Sequence, residues 1–289
     1  MAVVGSSGYI AGYILERLNS EKYIQKVLKI GRSLEADIFL DLSNAQSFDY
    51  NVLEGIEYII FTAAISAPDE CADNFNKCWA VNVDGTSFFI NQAIKRRCKV
   101  IFFSSDAVFG DSQSMVYDEH SVTQATKPYG RMKKAVEDSF CYLPYFKALR
   151  LPYVVSSRDR FITYCLSCMQ NDKVAEIYHP FYRNCVMIND VVNVTRWLLH
   201  NWSNFEESFL NIAGDELISR IRLVDEINRL FNKNLNYKIT NPGDNFFKNR
   251  VQITQMSSLY LYQYGILQRK TFTEKFQCEL KSTIGGVLL

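Results

Sequence analysis

The sequence predicts an α/β fold with a doubly wound parallel sheet and a smaller C-terminal α/β lobe. Short apolar runs alternate with helical patterns from residue 2 to residue 151, an order typical of consecutive βαβ units. The first apolar run leads through a glycine-rich loop, GSSGYIAG, directly into a helical pattern. Beyond about Ser156 the elements become irregular and aromatic residues cluster. We therefore expect one domain over residues 1–155 and a lobe over residues 156–289, parts of which rejoin the sheet.

Each predicted strand is short, apolar and bounded by small or polar residues, and each predicted helix has an apolar face. In chain order, the strands are expected at Ala2–Val4, Lys26–Ile30, Ile38–Leu40, Tyr58–Phe61, Ile101–Phe103, Lys147–Leu151 and Phe209–Ile212. The helices are expected after Gly8, over Asp73–Cys98, from Tyr129 to about Phe140, over Val191–Leu199, after an N-cap at Ser219, and in a last stretch ending near Tyr264 and Gly265.

Composition argues against several classes of function. The 289 residues carry 32 basic and 31 acidic side chains, so nothing points to nucleic acid or to an anionic membrane as a partner. No apolar run approaches a membrane span, and the first strand begins at residue 2, so we expect a cytoplasmic protein without a leader peptide. The eight cysteines are expected to be reduced. Cys165 and Cys168 lie in a helical pattern without a second pair, so no metal site is predicted.

The glycine-rich loop lies between a strand and a helix, which is the context of a phosphate-binding fingerprint. Gly5 permits the tight turn, and Gly8 lets the backbone approach a pyrophosphate at the helix N-terminus. Ala11 is the small residue at the third, packing position. The alternative is an ordinary βα turn that happens to use glycines.

The ends of the next strands bear on the choice of cofactor. The acidic residue that would bind an adenosine ribose 2′-hydroxyl is missing after the second strand. Arg32 stands there instead, which favours a 2′-phosphate and hence NADP over NAD; a solvated loop arginine is the alternative. Asp41 and Leu42 follow the third strand, next to where an adenine would lie. Ala63 and Ala64 end the fourth strand, where small residues either let a cofactor pass or merely pack.

A catalytic constellation is predicted around the fifth strand, which delivers serines to its carboxyl end, where ligands bind in open α/β sheets. Tyr129 and Lys133 stand one turn apart at a helix start, and Tyr129 is the only tyrosine in the sequence with lysine four residues on. A chance match is the alternative. A nearby cation favours a phenolate, so we expect Lys133 to lower the pKa of Tyr129. Ser105 would supply a hydroxyl to the same reacting oxygen.

These motifs resemble those of the extended short-chain dehydrogenase/reductases, the NAD-dependent nucleotide-sugar epimerase/dehydratase/reductase group. The resemblance covers nearly the whole chain, through GSSGYIAG, TAA, VNVDGT, SSDAVFG, YDEH, KPYGRMK, LRLP, VMINDVV and LNIAG. The residues around Ser105 are most similar to the dTDP-4-dehydrorhamnose reductase branch, whose strand end reads Ser-Thr-Asp-Tyr-Val-Phe. The third loop glycine is displaced to alanine, which the family tolerates.

The resemblance implies a Rossmann domain that binds NADP or NAD, a catalytic triad of Ser105, Tyr129 and Lys133, and no metal. The cofactor-binding residues that it implies are Gly5, Ser7, Gly8, Tyr9, Ile10, Arg32, Asp41, Leu42, Ala63, Ala64, Asn82, Ser104, Tyr129 and Lys133. The expected substrate-binding residues are Ser105, Asp106, Tyr129 and Arg183. For Arg183, binding to a substrate phosphate and a structural salt bridge both stay open.

We interpret the chain as an NAD(P)H-dependent oxidoreductase that reduces a keto group of a nucleotide-linked sugar, with Tyr129 as the proton donor. One alternative is an epimerase that retains its cofactor. Another is a non-catalytic nucleotide-binding subunit of the same fold, although the triad is intact. Position 107 is alanine where 4,6-dehydratases of the family carry glutamate, so dehydration is not expected. The resemblance also implies a homodimer formed by the helices around Asp84–Ala93 and Tyr129–Phe140.

Overall fold

A computed structural model describes residues 1–21, 24, 26–111, 114–231 and 233–284. The strands are β1 (Ala2–Val4), β2 (Leu28–Gly31), β3 (Ile38–Phe39), β4 (Tyr58–Phe61), β5 (Lys99–Ser105), β6 (Val116–Tyr117), β7 (Phe146–Leu151), β8 (Tyr153–Val155), β9 (Ala175–Tyr178), β10 (Tyr182–Met187), β11 (Phe209–Asn211), β12 (Leu217–Ser219), β13 (Tyr237–Thr240) and β14 (Gln255–Met256). The α-helices are α1 (Tyr9–Leu18), α2 (Pro68–Asp73), α3 (Phe75–Trp79), α4 (Thr86–Lys95), α5 (Pro128–Phe140), α6 (Arg160–Gln170), α7 (Ile188–Asn201), α8 (Arg220–Phe231), α9 (Gly243–Phe247) and α10 (Phe272–Ile284).

The chain folds into two compact units, which alternate along the sequence. Unit 1 consists of Met1–Gly110, Val122–Leu151 and Val194–Leu210. Unit 2 consists of Asp111–Ser121, Pro152–Asn193 and Asn211–Leu289. None of the described helices is long and apolar enough to cross a membrane.

Unit 1 contains the large sheet, whose strand order among the described residues is β11-β7-β5-β4-β1-β2-β3. Strands β3, β2, β1, β4, β5 and β7 pair in parallel. The chain winds outward from β1 in one direction and from β4 in the other, which confirms the predicted doubly wound parallel sheet. The side chains of β1, β5 and β7 are buried almost throughout, because helices cover both faces of such a sheet.

The core of unit 1 is rich in aromatic residues contributed by strands and helices alike. Phe61 and Phe102 on neighbouring strands pack with Phe89 of α4 and with Phe140 of α5 in one apolar cluster. Val136 lies in the same cluster. Phe89, Val136 and Phe140 lie on the two helices of the expected dimer interface, and they face the core of their own chain.

The long helix predicted over Asp73–Cys98 is wrong, because the segment is interrupted. Asn74 leaves helical geometry at φ −120° and ψ 45°, which separates α2 from α3. A π-helical segment, Ala80–Gly85, then joins α3 to α4, which ends at Lys95. Arg97 has a positive φ of 63°, so the helix does not continue to Cys98. π-Helical turns are rare and often mark functional sites.

Unit 2 contains a small sheet with the strand order β12-β10-β8 and the strand pairs β13–β9 and β14–β6. Helices α6, α8 and α10 pack on a separate apolar core. Cys165 and Cys168 belong to that core as free, buried thiols. The predicted N-cap is confirmed, because the Ser219 hydroxyl accepts a hydrogen bond from the Arg222 amide at 3.1 Å. The last helix predicted near Tyr264 is wrong: that segment is a turn, and the final helix is α10.

Candidate active site

The glycine-rich loop packs against the chain at the carboxyl end of β4. Gly5 has a φ of +83°, and a Cβ on it would lie 2.7 Å from the Cα of Ala63. Only glycine satisfies both constraints. Gly8 is the N-cap of α1 and offers no side-chain hydrogen bond to the first turn, where Tyr9 and Ile10 lie. The first N–H groups of α1 therefore have the orientation of an anion-binding helix N-terminus.

The expected adenine side of the site lies at the ends of β2 and β3. Arg32 is exposed directly after β2. The carboxylate of Asp41 accepts hydrogen bonds from the amide and hydroxyl of Ser43 at 2.9 and 2.8 Å. These bonds, with a smaller contribution from the charge of Arg32, hold the pKa of Asp41 below its usual value. Leu42 is buried. A Cβ on Gly85 would lie 1.8 Å from the carbonyl oxygen of Leu42.

Asn82 lies in the π-helical segment, and its side chain binds a neighbouring backbone. Its Oδ1 accepts from the amide of Ile65 and its Nδ2 donates to the carbonyl of Ile65, both at 2.8 Å. This pair of bonds holds the segment that follows Ala63 and Ala64 against the helix. The same Nδ2 also lies 3.5 Å from Met132 Sδ and 4.0 Å from Cys71 Sγ. The predicted role of Asn82 in binding the cofactor stays a prediction. In the sequence, Asn82 stands out as an asparagine inside a helical pattern, three residues before Gly85.

The end of β5 forms a short 3₁₀ turn, Asp106–Val108. The Ser105 hydroxyl donates to Asp106 Oδ1 at 2.9 Å and accepts from the Ala107 amide at 3.2 Å. Ser104 is 4% exposed, and its hydroxyl has no hydrogen-bond partner among the described residues. Buried hydroxyls without partners are uncommon, so Ser104 is a candidate contact for a ligand.

Helix α5 begins against the same turn. Pro128 occupies its first position, where a missing N–H costs nothing. A Cβ on Gly130 would lie 2.2 Å from the carbonyl oxygen of Ala107, so the first turn of α5 packs directly on the turn that follows Ser105. Tyr129 lies in this first turn of α5, and its role in a catalytic triad stays a prediction.

Lys133 is buried, with 3% of its surface exposed. Its Nζ donates a hydrogen bond to the carbonyl oxygen of Phe103 at 2.6 Å. The same nitrogen lies 4.4 Å from the centre of the Phe102 ring and 5.8 Å from the centre of the Tyr129 ring. The ammonium and the phenol are therefore neighbours on one face of α5, as their spacing predicts.

The expectation that Lys133 lowers the pKa of Tyr129 is wrong for the protein without ligands. Burial raises the pKa of Tyr129, and nearby Cys71 and Asp106 raise it further. Burial also lowers the pKa of Lys133 to about 7, against the attraction of Glu137 and Cys71. Desolvation disfavours both charged forms and outweighs the attraction between them. The phenol is consequently protonated at neutral pH, which suits a proton donor.

Arg183 belongs to unit 2. Its guanidinium lies 4.8 Å from the centre of the Phe181 ring and donates hydrogen bonds to the carbonyl oxygens of Tyr182 and Val251. A guanidinium stacked on an aromatic ring is a common arrangement at sites that bind anions.

Comparison with known proteins assigns the family. The family model described as "NAD dependent epimerase/dehydratase family" matches residues 1–213. The chain belongs to this family. The resemblance noted in the sequence is thereby confirmed at the level of the family. The solved structures similar to this chain include reductases, dehydratases and epimerases.

Three relatives illustrate the range of reactions. A UDP-glucose 4-epimerase of Dictyostelium discoideum is 32% identical over 47% of this chain and 44% of that protein. A dTDP-D-glucose 4,6-dehydratase of Bos taurus is 24% identical over 76% of this chain and 72% of that protein. A dTDP-4-dehydrorhamnose reductase from Bacillus anthracis, solved with NADP, has a TM-score of 0.82 at 18% identity, covering 98% of this chain and 97% of that one. At that identity, the structural likeness establishes the fold alone.

Proposed function

We propose that this protein is an NAD(P)H-dependent oxidoreductase that reduces a keto group of a nucleotide-linked sugar. The observation that carries the proposal is the arrangement at the start of α5. Tyr129 and the buried Lys133 share one face of that helix, and its first turn packs on the turn that holds the Ser105 hydroxyl. A phenol, a hydroxyl and an ammonium in this order form a proton-donating group for a carbonyl oxygen.

The residues of unit 1 fit a dinucleotide. Gly8 caps α1 without a side-chain hydrogen bond, so a pyrophosphate could accept hydrogen bonds from the first N–H groups of that helix. Arg32 is available to a 2′-phosphate at the end of β2, and the unpartnered Ser104 hydroxyl lies at the end of β5. When bound, the nicotinamide would supply the hydride for the reduction.

The residues of this chain would then handle the proton. Tyr129 would give its proton to the oxygen that becomes the sugar hydroxyl, and Lys133 would stabilise the phenolate that remains. The Ser105 hydroxyl donates to Asp106 in the ligand-free protein, so it would turn from Asp106 to the substrate oxygen. Arg183 is proposed to bind a phosphate of the nucleotide.

An epimerase that retains its cofactor is the second candidate. The relative at 32% identity is a UDP-glucose 4-epimerase, and oxidation followed by re-reduction would use the same three side chains. Net consumption of NADPH with a nucleotide-linked 4-keto sugar tests the proposal. Oxidation of one NADPH per sugar supports the reductase, whereas sugar conversion without loss of NADPH supports the epimerase. No conversion of any such sugar would favour a non-catalytic subunit.

We also propose that the protein is cytoplasmic and forms homodimers through α4 and α5. Phe88 and Ala135 remain half-buried on those helices after the core is formed, a small apolar surface for such a partner. Light scattering at micromolar concentration checks the assembly, and a clean monomer would contradict it.

A further inference from the structure

Helix α5 carries a second buried charge, one turn beyond Lys133. Glu137 is 1% exposed, and it pairs with Arg150 of β7, which is 2% exposed. Arg150 Nη2 lies 2.8 Å from Glu137 Oε2, and Arg150 Nε lies 3.1 and 3.2 Å from the two carboxylate oxygens. The pair is thus bidentate and fully removed from water.

Stability alone is a weak reason for such a pair. Desolvation of two charges commonly exceeds their mutual attraction, and apolar residues of the same volume are often as stable. The surroundings of Arg150 are apolar, since its guanidinium lies 4.0 Å from the ring centre of Phe209 and 4.9 Å from that of Phe109. Its Nη1 has no hydrogen-bond partner among the described residues. The pair therefore needs another explanation.

Lys133 supplies that explanation, because residues four apart on a helix are neighbours. The groups that face Lys133 come from three elements. They are Tyr129 and Glu137 on α5, Cys71 on α2, and the Phe103 carbonyl and Phe102 ring on β5. Glu137 supplies the carboxylate in this set, and Asp106 acts on Tyr129 rather than on Lys133.

We propose that Glu137 is a positioning residue that sustains the positive charge of Lys133, and that Arg150 fixes the Glu137 carboxylate in the orientation this requires. Tyr129, Lys133 and Glu137 then form one row of interacting side chains along a face of α5. The proposed function gives Lys133 its role in the reaction, and the inference rests on it to that extent. The electrostatic coupling itself can be measured without any turnover.

The coupling has a definite sign. Burial favours the neutral amine of Lys133, and the Glu137 carboxylate opposes burial. In Glu137→Gln the opposing charge is gone, while Arg150 keeps its own positive charge nearby. Both effects favour the neutral amine, so Lys133 would lose its proton at lower pH. An opposite charge close to a titrating group typically shifts its pKa by about 1 unit or more.

The test is a titration of Lys133 by NMR in ligand-free protein labelled with ¹³C at the lysine ε-carbon. The resonance that disappears in Lys133→Met is assigned to Lys133. We expect its midpoint in Glu137→Gln to fall by about 1 pH unit or more relative to the unsubstituted protein. Asp138→Asn is the matched control. Asp138 pairs with Lys134 at 2.6 Å on the same helix, in an exposed pair with the same spacing. The midpoint of the Lys133 titration should not change in Asp138→Asn.

An unchanged midpoint in Glu137→Gln would overturn the proposal. If that variant does not fold, Glu137→Leu combined with Arg150→Met removes both charges and keeps the volume. A purely structural pair predicts the same Lys133 midpoint in this double variant as in the unsubstituted protein, whereas the proposal predicts a lowered midpoint. Failure of the proposed function would look different: the midpoint would fall as expected, but neither protein would convert a nucleotide-linked sugar.

Discussion

Two tyrosine–lysine pairs lie at opposite ends of the strands in unit 1. At the amino ends of β4 and β5, the Tyr58 hydroxyl is 3.2 Å from Lys99 Nζ, which also lies 3.0 Å from Glu57 Oε1. At the carboxyl ends, Lys133 Nζ is 5.8 Å from the centre of the Tyr129 ring. Measured in the same way, Lys99 Nζ lies 4.8 Å from the centre of the Tyr58 ring, so the closer pair is the one outside the candidate site.

The pKa values of the two lysines differ in direction. Burial draws the pKa of Lys99 down, but hydrogen bonds with Glu57 and Tyr58 outweigh burial, and the pKa is raised. Lys99 therefore stays charged. Lys133 is more deeply buried, and burial lowers its pKa to about 7. Proximity of a phenol to an ammonium thus does not by itself set the direction of the lysine pKa, because the depth of burial can outweigh it.

The largest effect that would separate the two pairs is loss of turnover. Tyr129→Phe removes the proposed proton donor, so we expect turnover to fall by roughly 10²–10⁴-fold or more. Cofactor affinity should stay within a fewfold, because the phenol acts on the reacting oxygen. Tyr58→Phe is the matched control and should keep near-normal turnover. Steady-state kinetics of both variants checks this, and near-normal turnover in Tyr129→Phe contradicts the mechanism.

The second prediction is that the site at the carboxyl ends of the strands does not dehydrate a sugar. Dehydration needs a base beside Asp106, and Ala107 has none. Glu119 does not replace that base, since its carboxylate already accepts hydrogen bonds from the Asn211 amide and the Ser258 hydroxyl. Because a general base contributes roughly 10²–10⁴-fold, dehydration should be negligible beside reduction. Incubation with NAD⁺ and hexose-linked nucleotides, followed by mass spectrometry, should detect no 6-deoxy-4-keto product at ordinary enzymatic rates.

A third cation, Arg32, extends the comparison to the choice of cofactor. One arginine that pairs with a phosphate contributes about 1.5–3 kcal/mol, so NADPH should bind roughly tenfold or more tightly than NADH. Arg32→Ala should remove most of that preference. Arg17→Ala, at an exposed arginine of α1, is the control. Fluorescence titration of both cofactors measures the ratio, and tighter binding of NADH would overturn the prediction.

The last predicted effect is on pH dependence. A neutral Lys133 cannot stabilise the Tyr129 phenolate, and the pKa of Lys133 is about 7 in the free protein. The value of kcat/KM for NADPH reports the free protein, so it should fall by up to about tenfold per pH unit above that pKa. Lys99→Met should leave the profile unchanged. A flat profile between pH values of about 7 and 9 would show that Lys133 keeps its charge.

Local motifs made much of unit 1 predictable from the sequence. Strand Tyr58–Phe61 was predicted with its observed bounds, because it is a continuous apolar run between polar residues. The start of α5 was marked by Pro128, and the tight turn by Gly5. Helix α10 was missed although Phe272, Phe276 and Leu280 repeat every four residues and lie buried on one face.

Other features depend on tertiary contacts and had no local signal. The chain breaks its helix at Asn74 and forms a π-turn before α4, and neither feature follows from residue types alone. The pairing of Glu137 with Arg150 joins a helix to a strand, and many other acidic and basic residues were equally eligible. The prediction that Lys133 lowers the pKa of Tyr129 was wrong, because burial raises that pKa and the depth of burial cannot be read from spacing.

The most direct test of the central claim follows the hydride. The protein would be mixed with NADPH deuterated at the transferred position and with a nucleotide-linked 4-keto sugar, and the sugar product would be analysed by mass spectrometry. The account predicts one deuterium in the product per NADPH oxidised, and none with Tyr129→Phe. Conversion of the sugar with the label retained in the cofactor, or label transfer at a normal rate in Tyr129→Phe, would contradict it.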